Sequence, residues 1–213
     1  TSSFVAELTM VRALNLAMAE AMRADPNVLV LGQDVGQDEG VFRVTEGLLS
    51  EFGANRCIDT PLAESGGVGV AVGMTALGLR PIVEIQFMGF IYPAMNPIIS
   101  HVARLRNRTR GRFPATLTIR TPYGAGVRAL EHHSESTEAL FWQVPGLVVV
   151  VPSDPYDAKG LLKSAIRGQD PVLFIENATL YQARGEVPDG EFLEPIGVSK
   201  VQRPGSDVTI VTY

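Results

Sequence analysis

The sequence has 213 residues, a formal net charge of −5, and 46% hydrophobic against 19% charged residues. That balance is expected of one large globular domain, or one domain with an extension, and it excludes a disordered chain. The acidic total argues against broad affinity for phosphate backbones, so nucleic acid is not an expected partner. The stretch "RLRNRTRGR", with Arg at 104, 106, 108, 110 and 112, reads as a solvated helix end or a partner-facing patch. Cys57 is the only cysteine, which rules out an intrachain disulfide and permits a reducing compartment. The amino-terminal stretch lacks the basic start and unbroken apolar block of a signal peptide. No stretch is apolar for the roughly 18 residues that a membrane span needs. A cytoplasmic chain without a membrane partner is expected, or a mitochondrial matrix one in a eukaryote.

From Thr9 to Ala24 the residues Met10, Val11, Leu14, Ala17, Met18, Ala21 and Met22 recur at three- and four-residue spacing, which predicts an amphipathic helix ended by "DPN". "VLVLG" then reads as a buried strand opening into the polar loop "QDVGQDEG". A second helix is predicted after "DTPLAES", with Thr60 as N-cap and Pro61 in the first turn, stopping near Gly78. Its body, "SGGVGVAVGMTALG", is made of small residues, and Gly69 and Gly73 would let another backbone approach, so the helix is expected to be buried. Thereafter "PIVEIQF", "ATLTIRT", "LVVVVPS" and "PVLFIE" read as strands, and "AMNPIISHVARLRNR", "STEALFWQV" and "PYDAKGLLKSAIR" as helices. Continuous apolar strands separated by helices predict an α/β domain, a mostly parallel sheet with helices on both faces. After Glu176 the passage "RGEVPDGEFLEPIG" reads as a linker or hairpin-bearing arm, and "DVTIVTY" as an alternating strand.

Several patterns fall short of a cofactor or metal motif. The spacing Gly67-x-Gly69-x-x-x-Gly73 misses the dinucleotide fingerprint by one residue, and no Walker-type phosphate loop is present. His132 and His133 are adjacent, which does not suit zinc ligation, and His101 and Cys57 complete no ligand pattern. Acid-base work suits the "EHHSES" pair better, because imidazole titrates near neutral pH; a solvated polar turn is the other reading. Glu64 stands one place too late for a capping box begun at Thr60. Its carboxyl is either placed in an apolar site, where the neutral form is favoured, or a solvated first-turn glutamate on the helix dipole.

Four stretches, "LGQDVGQDEGVFRVTEGL", "IDTPLAESGGVGVAVGMTALGLRPIVEIQFMGFIYPA", "RTPYGAGVRALEHHSES" and "VVVPSDPYDAKGLLKSAIRGQDPVLFIE", together resemble the beta subunit of the thiamine-diphosphate-dependent decarboxylating component of 2-oxo acid dehydrogenase complexes. The resemblance covers nearly the whole chain in order. It implies a pyrimidine-binding domain that holds the aminopyrimidine of thiamine diphosphate, while a separate alpha subunit holds the diphosphate and Mg2+. It also implies a second beta subunit and a lipoyl acyltransferase core as partners. By this resemblance Glu64 is the cofactor-activating acid, and Leu62, Ala63, Gln86 and Phe90 line the pyrimidine. His133 is the catalytic histidine that guides protons in acyl transfer to the lipoyl arm, with His132 in a supporting role at most. Gln33, Phe87, Phe90 and His133 face the substrate.

A potassium ion is implied at Leu117, Ala165, Ile166, Gly168 and Asp170. Three positions depart from the family's habit: Gln33 stands where members often carry Glu, Phe90 where Tyr is common, and Gly168 where Asp is usual. The implied organisation is a pyrimidine-binding domain over 1–176, a linker or arm over 177–205, and at 206–213 the start of a carboxy-terminal domain. Without the remainder of that domain, docking to the acyltransferase core is not expected of this chain. Pyruvate is the first substrate implied, with branched-chain 2-oxo acids and acetoin next. A rival of another class is a non-catalytic domain that pairs with partners and turns nothing over.

Overall fold

The computed structural model describes residues 5–126 and 128–213; residues 1–4 and Val127 lie outside it, the former in the amino-terminal stretch and the latter in the "YGAGVRAL" loop. In chain order the strands and helices are β1 (Val5–Thr9), α1 (Met10–Ala24), β2 (Val28–Gly32), α2 (Leu48–Phe52), β3 (Cys57–Asp59), α3 (Glu64–Ala76), β4 (Arg80–Glu84), α4 (Met95–Pro97), α5 (Leu105–Arg108), β5 (Thr118–Tyr123), α6 (Glu138–Trp142), β6 (Val148–Val150), α7 (Pro155–Arg167), β7 (Val172–Asn177) and β8 (Arg184–Pro188). Six strands form one parallel sheet in the order β3-β2-β4-β5-β7-β6. β1 and β8 make a separate antiparallel pair. The α/β class is as the sequence predicts.

The central strands are largely apolar because both faces of the sheet are covered. Val28, Val30, Ile82, Val172 and Phe174 pack beneath α1 and α7, while Leu29, Leu31, Val83, Ile119, Leu173 and Ile175 pack beneath α3 and the segment 85–102. Successive side chains alternate between these two cores, as the two-residue period of a strand requires. α1 opens where the Thr9 hydroxyl accepts the Arg12 backbone N–H at 3.3 Å, a hydroxyl N-cap. Its apolar stripe then packs along α7.

Three strands carry charges that meet inside the protein. Arg120 on β5, 1% exposed, donates to Glu84 on β4 at 2.7 Å and through two nitrogens to Glu176 on β7 at 2.7 Å. The Tyr181 hydroxyl donates to the same Glu176 carboxylate at 2.6 Å. Burial works against the Arg120 charge, but the Glu176 and Glu84 carboxylates outweigh it and hold its pKa above the ordinary value. Glu84 is the strained member: burial raises its carboxyl above the ordinary range, with Arg120 pulling the other way.

Several expectations are corrected. Thr60 does not cap the second helix: its N–H is tied to the Gly32 carbonyl at 2.9 Å, at the end of β2, and the helix starts at Glu64 with Ala63 as N-cap. Nor is that helix buried on all sides. Val68, Ala71 and Thr75 face the core, but Gly66, Gly69, Val70 and Gly73 are exposed, and nothing stands within 4 Å of a side chain at Gly69 or Gly73. The predicted helix over "AMNPIISHVARLRNR" is broken into α4, a π-helical turn at Ile98–Val102 and α5, since Pro97 lacks a backbone donor and disrupts a regular helix. "DVTIVTY" forms no strand; residues 206–213 are exposed and have no ladder partner. β8 pairs with β1, so part of the arm is strand.

Replacing Arg120 with Met leaves two buried carboxylates without a counter-charge. Urea denaturation is expected to show a loss of about 3–5 kcal/mol, against less than about 1 kcal/mol for Arg12→Ala, which removes an exposed pair with Glu46. Similar losses in the two variants would show that the buried cluster is not needed for stability.

Candidate active site

A cleft opens where the chain leaves β2 and β4. It is lined by Leu31, Gly32 and Gln33, by Thr60, Pro61, Ala63, Glu64 and Gly67, and by Val83, Glu84, Ile85 and Gln86. The chain leaving β2 packs α2 against one face of the sheet, and the chain leaving β4 packs against the other. The cleft therefore sits at the topological switch point, at the carboxyl ends of parallel strands, where open α/β sheets bind ligands. Gly32 is needed there: a methyl group would stand 2.8 Å from the Glu84 carbonyl oxygen and 2.9 Å from Val35.

Glu64 is the first residue of α3 and is half-buried. Leu31, Val83, Ile85 and Ala63 supply apolar walls around it. Both readings of Glu64 thus contain part of the arrangement: a first-turn carboxyl that also faces a cleft. Gln86 donates to the Gln33 carbonyl at 3.3 Å and to the Asp34 carboxylate at 3.0 Å, tying the ends of β2 and β4 together. The loop after Gln33 is pinned by Asp59, whose carboxylate accepts the Gly36 and Gln37 backbone N–H groups at 2.6 and 3.0 Å. Cys57 is buried, and burial pushes its thiol up to about 11, so it is held as an unreactive thiol.

His133 lies beside this cleft on the loop between β5 and α6. Its ring meets Phe87 edge-on at 4.6 Å between centroids and Phe90 at 5.2 Å. Because Phe87 follows Gln86 directly, the aromatic cluster adjoins the cleft; Phe42 joins Phe87 to Tyr181 at 5.5 and 5.0 Å. His133 Nδ1 is 3.0 Å from the Glu131 carbonyl oxygen. A carbonyl only accepts, so Nδ1 carries the proton in that bond and Nε2 is the nitrogen free to exchange one. His132 is exposed and has a left-handed backbone, φ 69°.

The structure brings Gln33, Ala63, Glu64 and Gln86 together in the cleft, and groups Phe87, Phe90 and His133 outside its lining, joined to it through the Gln86–Phe87 step of the chain. Leu62 is outside the lining and 73% exposed. The groups implied for potassium carry other bonds in this structure. Arg80 donates to the Ile166 and Gly168 carbonyls at 2.9 and 3.0 Å, and the Asp170 carboxylate is 2.5 Å from Arg106. The Leu117 carbonyl accepts from Val172, and that of Ala165 from Gly168. Asp59, Glu84 and Arg80 went unnoticed in the sequence. One signal was available: Glu84, Arg120 and Glu176 are charges set among the apolar residues of central strands.

Fold and cleft define an α/β ligand-binding domain with a carboxylate poised at a helix start. The chain belongs to the family described as "Transketolase, pyrimidine binding domain", whose model matches residues 6–184. It is 50% identical to the "Pyruvate dehydrogenase E1 component subunit beta" of Acholeplasma laidlawii over 98% of this chain and 64% of that protein. It is 51% identical to the "3-methyl-2-oxobutanoate dehydrogenase subunit beta" of Mycobacterium tuberculosis, over 100% of this chain and 61% of that one. The chain thus spans less than two thirds of the length of these relatives. A solved structure described as "Split gene transketolase, inactive beta4 tetramer" matches with TM-score 0.64 at 20% identity, over 79% of this chain and 51% of that chain, and bears out the fold. Among the described residues no helix is long and apolar enough to cross a membrane.

Asp59→Ala removes the acceptor of two backbone N–H groups in the loop after Gln33. Hydrogen exchange at Gly36 and Gln37 is expected to accelerate, with a stability loss of about 1.5–3 kcal/mol, the range for bonds to a charged group. Unchanged exchange would show that the loop is held by other contacts.

Proposed function

We propose that this chain supplies the pyrimidine-holding half of a thiamine diphosphate site in the decarboxylating component of a 2-oxo acid dehydrogenase, with pyruvate as substrate. The observation that carries this reading is Glu64, placed at the start of α3 inside the switch-point cleft. The residues present fit an aminopyrimidine: a carboxyl to meet a ring nitrogen, apolar walls from Leu31, Ala63, Val83 and Ile85, and the polar side chains of Gln33 and Gln86 at the rim. When bound, the cofactor supplies the electron sink for loss of carbon dioxide. Glu64 would hold a proton at the pyrimidine nitrogen, and Gln33 and Phe87 are assigned to the substrate by the family resemblance. His133, with Nδ1 anchored on the Glu131 carbonyl, gives or takes a proton at Nε2 as the acyl group leaves for the lipoyl arm of an acyltransferase core.

The diphosphate and Mg2+ are assigned to an alpha chain, as the similarity to beta subunits of 2-oxo acid dehydrogenases implies. A second beta chain has a matching surface in the exposed face of α3, where Gly66, Gly69 and Gly73 would let a backbone approach closely. A branched-chain 2-oxo acid is the second reading, supported by the 51% identity to the 3-methyl-2-oxobutanoate enzyme's subunit. An apolar pocket separates substrates differing by a methylene by only roughly 1–3 kcal/mol.

The test is reconstitution with a cognate alpha chain, thiamine diphosphate and Mg2+, following carbon dioxide release from pyruvate and from 3-methyl-2-oxobutanoate with an artificial electron acceptor. Release from pyruvate is expected to be faster, and the reverse order would select the branched-chain reading. Release from neither would leave a partner-binding domain without turnover. Glu64→Gln is expected to lower release by roughly 10²–10⁴-fold. His133→Ala is expected to slow acyl transfer to lipoamide more than it slows release; equal losses contradict its role.

A further inference from the structure

We infer that Gly89 and His132 are positioning residues for His133, acting through the backbone and not through the His132 imidazole. This rests on the proton-transfer role proposed for His133. Among its described residues, the connection between β5 and α6 has no helix or strand of its own, so its shape depends on what holds it. The segment after β4 does the holding. Tyr92 donates to the Glu135 carboxylate at 2.7 Å, and the Gly124 N–H closes the base of the loop on the Glu135 carbonyl at 3.1 Å. Phe87 and Phe90 both pack edge-on against the His133 ring. Between those two phenylalanines, Gly89 is buried directly against the His132 peptide: a methyl group there would stand 2.7 Å from its Cα and 2.8 Å from its carbonyl carbon, and closer still to the oxygen.

Contacts that short do not occur between real side chains and backbone, so a methyl at position 89 must displace the His132 peptide. That peptide is the one joined to His133. Phe87 and Phe90, which also meet each other, lie on one side of the His133 ring, so displacing the peptide moves the imidazole relative to both. A shift of about 1 Å at a reacting group costs on the order of 10²-fold in rate. His132 meets the same requirement from the loop side. Its φ of 69° is left-handed, a region open to Gly and Asn and closed to β-branched residues. Its ring is exposed and makes no hydrogen bond among the described residues.

The test compares Gly89→Ala, His132→Val, His132→Asn and His132→Gly in the assembly reconstituted with a cognate alpha chain, with His133→Gln as reference. Acyl transfer to lipoamide is measured beside carbon dioxide release. Gly89→Ala and His132→Val are expected to slow acyl transfer by about tenfold or more, with release less affected, while His132→Asn and His132→Gly stay near wild type. Loss of transfer in His132→Gly equal to that in His132→Val would show that the imidazole itself acts, and would overturn the inference. So would normal transfer in Gly89→Ala. If His133→Gln transfers normally, the role of His133 fails, and the positioning claim is then judged without activity. In spectra of histidine-labelled protein, the His133 ring signals, shifted by Phe87 and Phe90, should move in Gly89→Ala and His132→Val and hold in His132→Asn. Signals unmoved in all the variants would overturn the claim.

Discussion

Arg120 sits between Glu84 on one neighbouring strand and Glu176 on the other, out of contact with water, and so ties together the carboxyl ends of β4, β5 and β7. Removing Arg120 leaves both carboxylates buried without a counter-charge, so the strands are held in one register by electrostatics as well as by the ladder. Glu84 is also part of the cleft wall, two residues before Gln86. Tyr181, bonded to Glu176, passes the same support through Phe42 to Phe87, the ring that meets His133. The cleft and the histidine loop therefore rest on a common rigid base, which suits a site whose groups must meet a ligand without rearranging.

The central strands were readable because double burial makes them largely apolar runs, and α1 and α7 because one face alone is buried. What escaped were features set by long-range contacts. β1 is half-exposed and exists by pairing with β8, far along the chain. β3 has three residues, too few for a pattern. Thr60 and Pro61 carry every local mark of a helix start, but the Thr60 N–H continues the pairing of β3 with β2 through the Gly32 carbonyl, and the helix begins at Glu64. Glu64 thus stands at the cleft as the helix's first residue.

The candidate site was legible in a different way. Composition and spacing left Glu64 and the histidine pair with two readings each, and it was the family resemblance that separated His133 from His132. The structure adds a physical basis for the separation: His133 packs against two phenylalanine rings, while His132 is exposed and contributes a bend in the backbone. Leu62 went the other way, named for the pyrimidine by resemblance but turned to solvent in this chain.

The central claim is that the cleft between β2 and β4 receives the aminopyrimidine with Glu64 as its acid. A crystal structure of the chain assembled with a cognate alpha chain and thiamine diphosphate tests it most directly. The account predicts a Glu64 carboxyl oxygen at hydrogen-bond distance, about 2.6–3.2 Å, from a pyrimidine ring nitrogen. A pyrimidine bound elsewhere, or Glu64 turned to solvent with the cofactor in place, would contradict it.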